Sequence, residues 1–473
     1  MSDTPYMDCC AKENTAKPEN DGLMRKLDLL LRTGKLLMES AADTRRIMRN
    51  MKRTAAFLGL PEANLHIFIN YNILMVNLSD EHQSFTKFQR CERHCINMDA
   101  ISQVSHLSWR AIRRNYSLSQ YEQELNRIAH AKRNFPQWQV AVGAGLACGG
   151  FCIQFGCDWV AFFYASIAAM LGFGLRAWLN NKGSNKYVNI AIAAFLSTLV
   201  AWLFALMSIH LDIPAFLRSA TPWHPLMACA LFIVPGVPLI NFVSDMLDGY
   251  VQIGLTRAVN TLLMILAMSF GIAFAIQVCG IDNFVRNLSM TPHHQYNEYM
   301  LAAALSAIGF SMIFNTPRQL HLLVALGGIV AICTRNLVSL GASSGNIGLD
   351  MGPVVGSFCG SAVVSILCTR LIHIAHVPHH CLSIPSVIPM IPGVLMYRAL
   401  FAFIDMHGVV GEVTVAMNNA ISASLIILFI AVGVAIPNIF FRRMVEPKRR
   451  RKLLALLVHR RQMQGKFVKM DKE

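Results

Sequence analysis

The sequence predicts a polytopic α-helical membrane protein. Its ten transmembrane helices would form two inverted five-helix repeats behind an N-terminal cytoplasmic α+β domain. Three observations carry this. Charge is scarce and unevenly placed, ten apolar segments are long enough to cross a bilayer, and a Pro-Gly step recurs with matched surroundings in both halves.

Mean hydropathy is +0.43 and only 15% of the 473 residues are charged, too few to cover a soluble domain of this size. Residues 1–137 carry 20 Lys/Arg and 15 Asp/Glu, residues 442–473 carry 12 and 3, and the long stretch between holds 10 and 9. The net charge of +15 does not point to nucleic acid, because most of the excess follows an apolar helix, where positive-inside topology accounts for it. Most of the 13 cysteines lie singly in apolar runs, as Cys148, Cys229, Cys333 and Cys359 do. Cys9-Cys10 and Cys91-x-x-x-Cys95 lack CxxC spacing, so no disulfide framework is expected. Residues 1–22 contain no apolar signal-peptide core.

Residues 1–20 read as disordered. From Gly22, the spacing of Leu27, Leu30, Gly34, Leu37 and Ala41 predicts a helix, with Asp43 or Thr44 capping a second that stops at Gly59-Leu60-Pro61. Residues 65–79 predict a hairpin turning at Tyr71-Asn72, and residues 84–91 a third strand. Two helices follow near 99–115 and 119–133, the latter with a capping box at Ser119-x-x-Glu122. This makes residues 21–136 a cytoplasmic α+β domain.

Ten apolar segments follow, near 138–156, 157–179, 187–209, 225–247, 254–279, 299–316, 321–340, 346–371, 385–404 and 418–441. Each can span roughly 30 Å of hydrocarbon at about 1.5 Å per residue. Lys182, Lys186, Arg257, Arg318, Arg370 and the basic tail lie on one side, and Arg218 and Arg286 on the other. Both termini are therefore expected in the cytoplasm. The repeats would cover 137–280 and 299–441, with an external loop at 281–298 and a basic cytoplasmic tail at 442–473.

Val234-Pro235-Gly236-Val237 precedes Asp248 as Ile391-Pro392-Gly393-Val394 precedes Asp405, with thirteen residues from Pro to Asp in each case. Similar helices follow, aligning Gly271 with Gly433 and Arg257 with Asn419. Arg176 and Arg335 sit alike near the ends of the second helix of each half. Five spans per copy is odd, so the second copy enters the bilayer upside down, as in many secondary transporters.

Pro-Gly in mid-span breaks the hydrogen-bond ladder and exposes backbone groups able to hold a polar solute; a packing kink is the plainer alternative. The substrate-binding candidates are Pro235, Gly236, Asn241, Arg257, Pro392, Gly393 and Arg398, the last standing where Asn241 stands in the first copy. The coupling or gating candidates are Arg176, Asp245, Asp248, Arg335, Asp350 and Asp405. Charge in a span is costly and usually functional, although snorkelling to the interface is open to each of these residues. An Arg335–Asp350 pair could close the outer path. Arg257, Arg335 and Arg398 are candidate partners for a substrate carboxylate, and Asp245 and Asp350 candidate proton carriers. His373, His376, His379, His380, His293 and His294 invite a metal reading, but no carboxylate set accompanies them. Neither a cofactor nor a nucleotide is expected, since GxxxxGK[ST] is absent.

The chain resembles the threonine/serine exporter (ThrE) family, whose two parts also occur as separate subunits of YjjP/YjjB type. The resemblance rests on LLLRTGKLLMESAADTRRIMRNMKRTAAFLGL, LHIFINYNILMVNLS and DAISQVSHLSW in the front, and on VPGVPLINFVSDMLDGYVQIGLTRAVNTLL and IPGVLMYRALFAF behind it. It covers about Gly22 to Phe441. The usual Ser-Gly-Ala-Glu-Thr-x-Arg-Val-Glu of that family is here Ser40-Ala41-Ala42-Asp43-Thr44-Arg45-Arg46-Ile47-Met48. Arg46 is kept, while Met48 replaces a Glu. The resemblance implies proton- or potential-driven export of threonine and serine across the inner membrane, or of a dicarboxylate such as succinate. The expected partners are the small-molecule substrate, protons and the lipid bilayer, with a homo-oligomer left open. The alternative class is a membrane-anchored enzyme with a catalytic front domain, for which His66, Asp80, Glu81 and His82 supply no arranged nucleophile and base. A third reading makes the front a module that gates or oligomerises the membrane part.

Overall fold

The computed structural model describes residues 18–79, 83–92, 94–211, 214–281, 294–341, 347–375, 377–404 and 410–470. The expected disorder before residue 18, most of the external loop, and Asp80, Glu81, His82, His293, His376 and Asp405 lie outside them.

The front domain runs α1 (Pro18–Glu39), α2 (Thr44–Leu58), β1 (Leu65–Ile69), β2 (Ile73–Ser79), β3 (Ser84–Arg90), α3 (Met98–Arg113) and α4 (Leu118–Ala129). The three strands form an antiparallel sheet in the order β1-β2-β3, with Ile67 opposite Val76 and Val76 opposite Lys87. Leu74 and Val76 point into a core shared with Leu27, Leu30 and Leu37 of α1, as strand alternation and the helical spacing require. The expected cap of α4 is corrected by two residues. Ser117 is the N-cap and exchanges hydrogen bonds with Gln120, while Glu122 accepts from Arg25 and Arg32 of α1 instead.

The membrane part begins with α5 (Gln137–Gln154), α6 (Trp159–Asn181) and α7 (Lys186–His210). The expected fourth span is interrupted: α8 (Pro225–Ala228) and a 3-10 turn (Leu231–Ile233) lead to α9 (Gly236–Leu247), bent by 58°, before α10 (Val251–Val278). The second half repeats the series with α11 (Tyr296–Ile313), α12 (His321–Ser339) and α13 (Gly352–Ala375). The ninth segment is likewise divided into α14 (His379–Val387), a 3-10 turn (Ile388–Met390) and α15 (Gly393–Ile404). The last helix, α16 (Val410–Met470), continues unbroken from the apolar segment into the basic tail.

Among the described residues six helices are long and apolar enough to cross a membrane, or seven counting the bent pair before α10. α5 and α11, of 18 residues each, are not among them. Leu262, Leu266, Phe270 and Phe274 along α10 are exposed, a large apolar surface that belongs in lipid rather than water. The chain is a multi-pass membrane protein.

Neighbours recur between the halves. α5 packs on α6, α6 on α7, α7 on α10, and α9 on α10; correspondingly α11 packs on α12, α12 on α13, α13 on α16, and α15 on α16. The leading helices α5 and α11 cross each other at Gly143 and Gly309. A Cβ at Gly309 would lie 2.3 Å from the Gly143 carbonyl oxygen. Small residues at such crossings let backbones approach, which is how helices gain contact in lipid.

Candidate functional site

Pro235 and Pro392 build the same local structure. Each follows a 3-10 turn and sits at the centre of a tight turn in which the Gly N–H donates to the carbonyl two residues back, at 2.8 Å for both Gly236→Val234 and Gly393→Ile391. A new helix starts at each Gly. The two breaks then face each other: a Cβ on Gly236 would stand 2.5 Å from Ile388 and one on Gly393 2.6 Å from Leu231. Four of the expected substrate-binding residues are thereby joined in one contact, which is apolar and closed by Leu231, Val234, Ile388 and Ile391.

Polar chemistry gathers one helix length away, where α9 and α10 meet the turn between α1 and α2. α1 ends in a left-handed residue, Ala41, at φ 63°. The N–H groups of Ala41 and Ala42 return to the carbonyls of Met38 and Leu37. That geometry leaves the Ala41 and Ala42 carbonyls pointing outward. Asn241 donates to the first and Arg257 to the second, each at 2.9 Å. Asp245 accepts from the Thr44 N–H at 2.9 Å and from its hydroxyl at 3.0 Å. Arg257 pairs with Asp245 Oδ2, the oxygen that also takes the Thr44 hydroxyl, at 3.2 Å, both side chains being at most 5% exposed. Arg45 pairs with Asp248 at the rim.

Asp43 is the N-cap of α2 and also holds the Arg46 side chain at 2.9 Å. Burial pushes its carboxyl up, but the Arg46 guanidinium and Arg49 outweigh burial and hold it well below the usual carboxylate range. His380 of α14 faces Asp43 at 3.7 Å, so the same turn touches both halves of the membrane part. Three carboxylates meet three guanidinium groups here. Asn241 Oδ1, Ser244 Oγ, Arg46 Nη1 and Arg257 Nε remain buried with no hydrogen-bond partner among the described residues.

Sequence singled out Asn241, Asp245, Asp248 and Arg257, and the structure brings these four together. It did not single out Asp43, Thr44, Arg45, Arg46 or His380 as members of the group. Asp43 and Thr44 were read only as caps, and a pairing 201 residues apart leaves no local trace. Arg176 and Arg335 lie near the C-terminal ends of α6 and α12, as the repeat required. Asp350 lies beside Gly341 with its N–H on the Leu340 carbonyl, and among the described residues no ion pair joins it to Arg335. Arg398 lies on α15, half-buried. Asp405, outside the described residues, receives no placement.

The front domain holds the same end of the bundle at a second seam. Met98 and Asp99 donate N–H groups to the Phe314 and Asn315 carbonyls that end α11, and Asn97 accepts from the Asn315 amide at 2.8 Å. Tyr71 and Tyr187 share Asn260 of α10.

Comparison with known proteins supplies the family. The profile described as "Putative threonine/serine exporter" matches residues 28–279, and that described as "Threonine/Serine exporter, ThrE" matches residues 299–440. A "Probable succinate transporter subunit YjjP" of Escherichia coli (strain K12) is 28% identical over 261 residues, covering 54% of this chain and 96% of its own. A "Probable threonine/serine exporter" of Mycobacterium tuberculosis is 19% identical over 80% of this chain and 70% of its own. For a "Threonine/serine exporter" of Corynebacterium glutamicum the figures are 19%, 89% and 84%. No solved structure matches.

Proposed function

This chain belongs to the threonine/serine exporter family, and from that premise we propose that it is a secondary transporter exporting threonine and serine across the inner membrane, coupled to the proton gradient. In this reading ten helices cross the bilayer as two inverted repeats with both termini in the cytoplasm. The observation that carries it is the reciprocal contact of the two Pro-Gly breaks, one from each half, in a bundle whose neighbours recur half by half. Inverted repeats that rock about such a contact open one end as they close the other.

The front domain is the stopper of the cytoplasmic end, and Asp245 is the coupling group. As a carboxylate it holds Arg257 and Thr44 together; taking up a proton removes the charge that holds the turn in place. Undocking then frees the path to the breaks, and proton release resets the stopper. A second reading, succinate export, is favoured by the likeness of the first half to the YjjP subunit. Efflux from preloaded proteoliposomes tests both, comparing threonine, serine and succinate with and without a proton gradient. Threonine and serine efflux that stops when the gradient is collapsed is the expected result. Efflux of none of the three removes the reading.

A further inference from the structure

At the end of the bundle away from the front domain lies a cavity of about 200 Å³, lined by Gln154, Ile332, Arg335, Asn336, Ser339, Leu340 and Pro353. Its distance from the front follows from α12. The helix is preceded by Arg318, which binds the Asn134 carbonyl beside the front domain, and its 19 residues rise roughly 28 Å to the Arg335 end. α5 leaves the front at Gln137 in the same way and ends at Gln154.

Three of the polar atoms at this cavity lack a partner. Both amide atoms of Gln154 and Nε of Arg335 are buried without a hydrogen-bond partner among the described residues. Leaving such groups unpaired is unfavourable, more so for a charge. Asp350, the expected partner of Arg335, is turned towards Gly341. Among the described residues the lining holds one cation and no carboxylate, so it suits an anion or a zwitterion. Its volume of about 200 Å³ suits a small solute or a group of waters.

We propose that this cavity is a binding site for the carboxylate of a small solute, with Arg335 as the carboxylate anchor. Asn336 and Ser339 flank Arg335 on the same helix. Gln154, from the other side, offers two N–H donors and one acceptor oxygen. The acceptor fits the ammonium group of an amino acid, and the N–H groups fit the far carboxylate of a dicarboxylate. This deepens the transporter reading by naming where the solute is held when the cytoplasmic end is stopped.

The test is equilibrium binding of radiolabelled threonine, serine and succinate to the purified full chain in lipid nanodiscs. Arg335→Gln is expected to weaken binding of whichever of these the wild type holds by at least ten-fold. Arg335→Lys, which keeps the charge but loses the fork, should fall between. Gln154→Leu should likewise weaken whichever of them the wild type holds. Unchanged elution of each variant on size exclusion separates lost binding from lost folding. Arg335→Gln binding as tightly as the wild type overturns the proposal, and so does a wild type that binds none of the three. The transporter reading is scored separately by efflux. Wild-type efflux that survives Arg335→Gln sinks the cavity alone, whereas Arg335-dependent binding without efflux sinks the transporter reading alone.

Discussion

Single residues in the α1–α2 turn carry more strain and charge than their neighbours. Ala41 adopts a left-handed conformation at φ 63°. For a residue with a Cβ that conformation costs roughly 1–2 kcal/mol. Ala41→Gly is therefore expected to stabilise the chain by about 1 kcal/mol, the gain being trimmed by the added freedom of glycine in the unfolded chain. A rise in the thermal midpoint in detergent is the measure, and a fall would mean that the freedom glycine adds to the unfolded chain outweighs the relief of strain. Asp245→Asn works in the opposite direction. It leaves Arg257 buried without a counter-charge, an expected loss of about 3–5 kcal/mol that Asp245→Leu with Arg257→Met should largely recover. The charges themselves were legible, since Asp and Arg are rare in apolar spans. Their partners were not, because Thr44 and Asp43 lie 200 residues earlier and look like ordinary helix caps.

His94 adds a pH dependence at the same scale. It stacks on Tyr71 with ring centroids 4.1 Å apart, and burial pushes its pKa down to about 4. In the unfolded chain it titrates near 6.5. Between those values the unfolded chain binds more protons than the folded one, so stability is intact above about pH 6.5 and falls as pH drops towards 4. Thermal unfolding at pH 7.5, 6 and 5 should show the decline, and His94→Gln should flatten it. An equal slope in the variant assigns the effect to another group.

At the scale of elements, Pro and Gly were the most legible residues, because what they do to a backbone is local. Both broken spans and the stop after α2 follow from them directly. Caps were less legible. Ser117 and Ser119 each have Gln or Glu three residues on, and the choice fell to Ser117 because Arg25 and Arg32 of α1 draw Glu122 away. The continuity of α16 through Pro437 and Pro447 was not readable at all, since proline ordinarily ends a helix. Close approaches separate two kinds of glycine. A Cβ at Gly236 meets the tip of Ile388, which can swing aside, whereas one at Gly309 meets the Gly143 carbonyl and the Ala147 N–H, which cannot. Gly309→Ala should cost about 2–3 kcal/mol and Gly236→Ala nearer 1 kcal/mol, within the range for overpacking. Their thermal midpoints should rank accordingly. The reverse order would place the tighter contact at the breaks.

Over the whole molecule, the front domain is clamped to one end of the bundle by bonds from the α1–α2 turn, from residues 97–99 and from Tyr71. Sequence placed a domain boundary at residue 136 but held no sign that the two parts share a buried ion cluster, since each reads as self-sufficient. The rim pair Arg45–Asp248 allows the docking to be tested without touching the buried groups. A partly exposed pair is worth about 0.2–1 kcal/mol. Arg45→Asp should therefore raise undocking by roughly two- to five-fold and Asp248→Arg by a similar factor, while the double reversal returns it towards the wild type. The Thr44 N–H reports this directly, because its acceptor, Asp245, belongs to the membrane part, and its hydrogen exchange is slow only while the domain is docked. Faster exchange in both single variants and recovery in the double is the expected pattern. Exchange at Thr44 that ignores all three variants would show that the two parts separate, if they separate at all, along the seam formed by residues 97–99 and the end of α11.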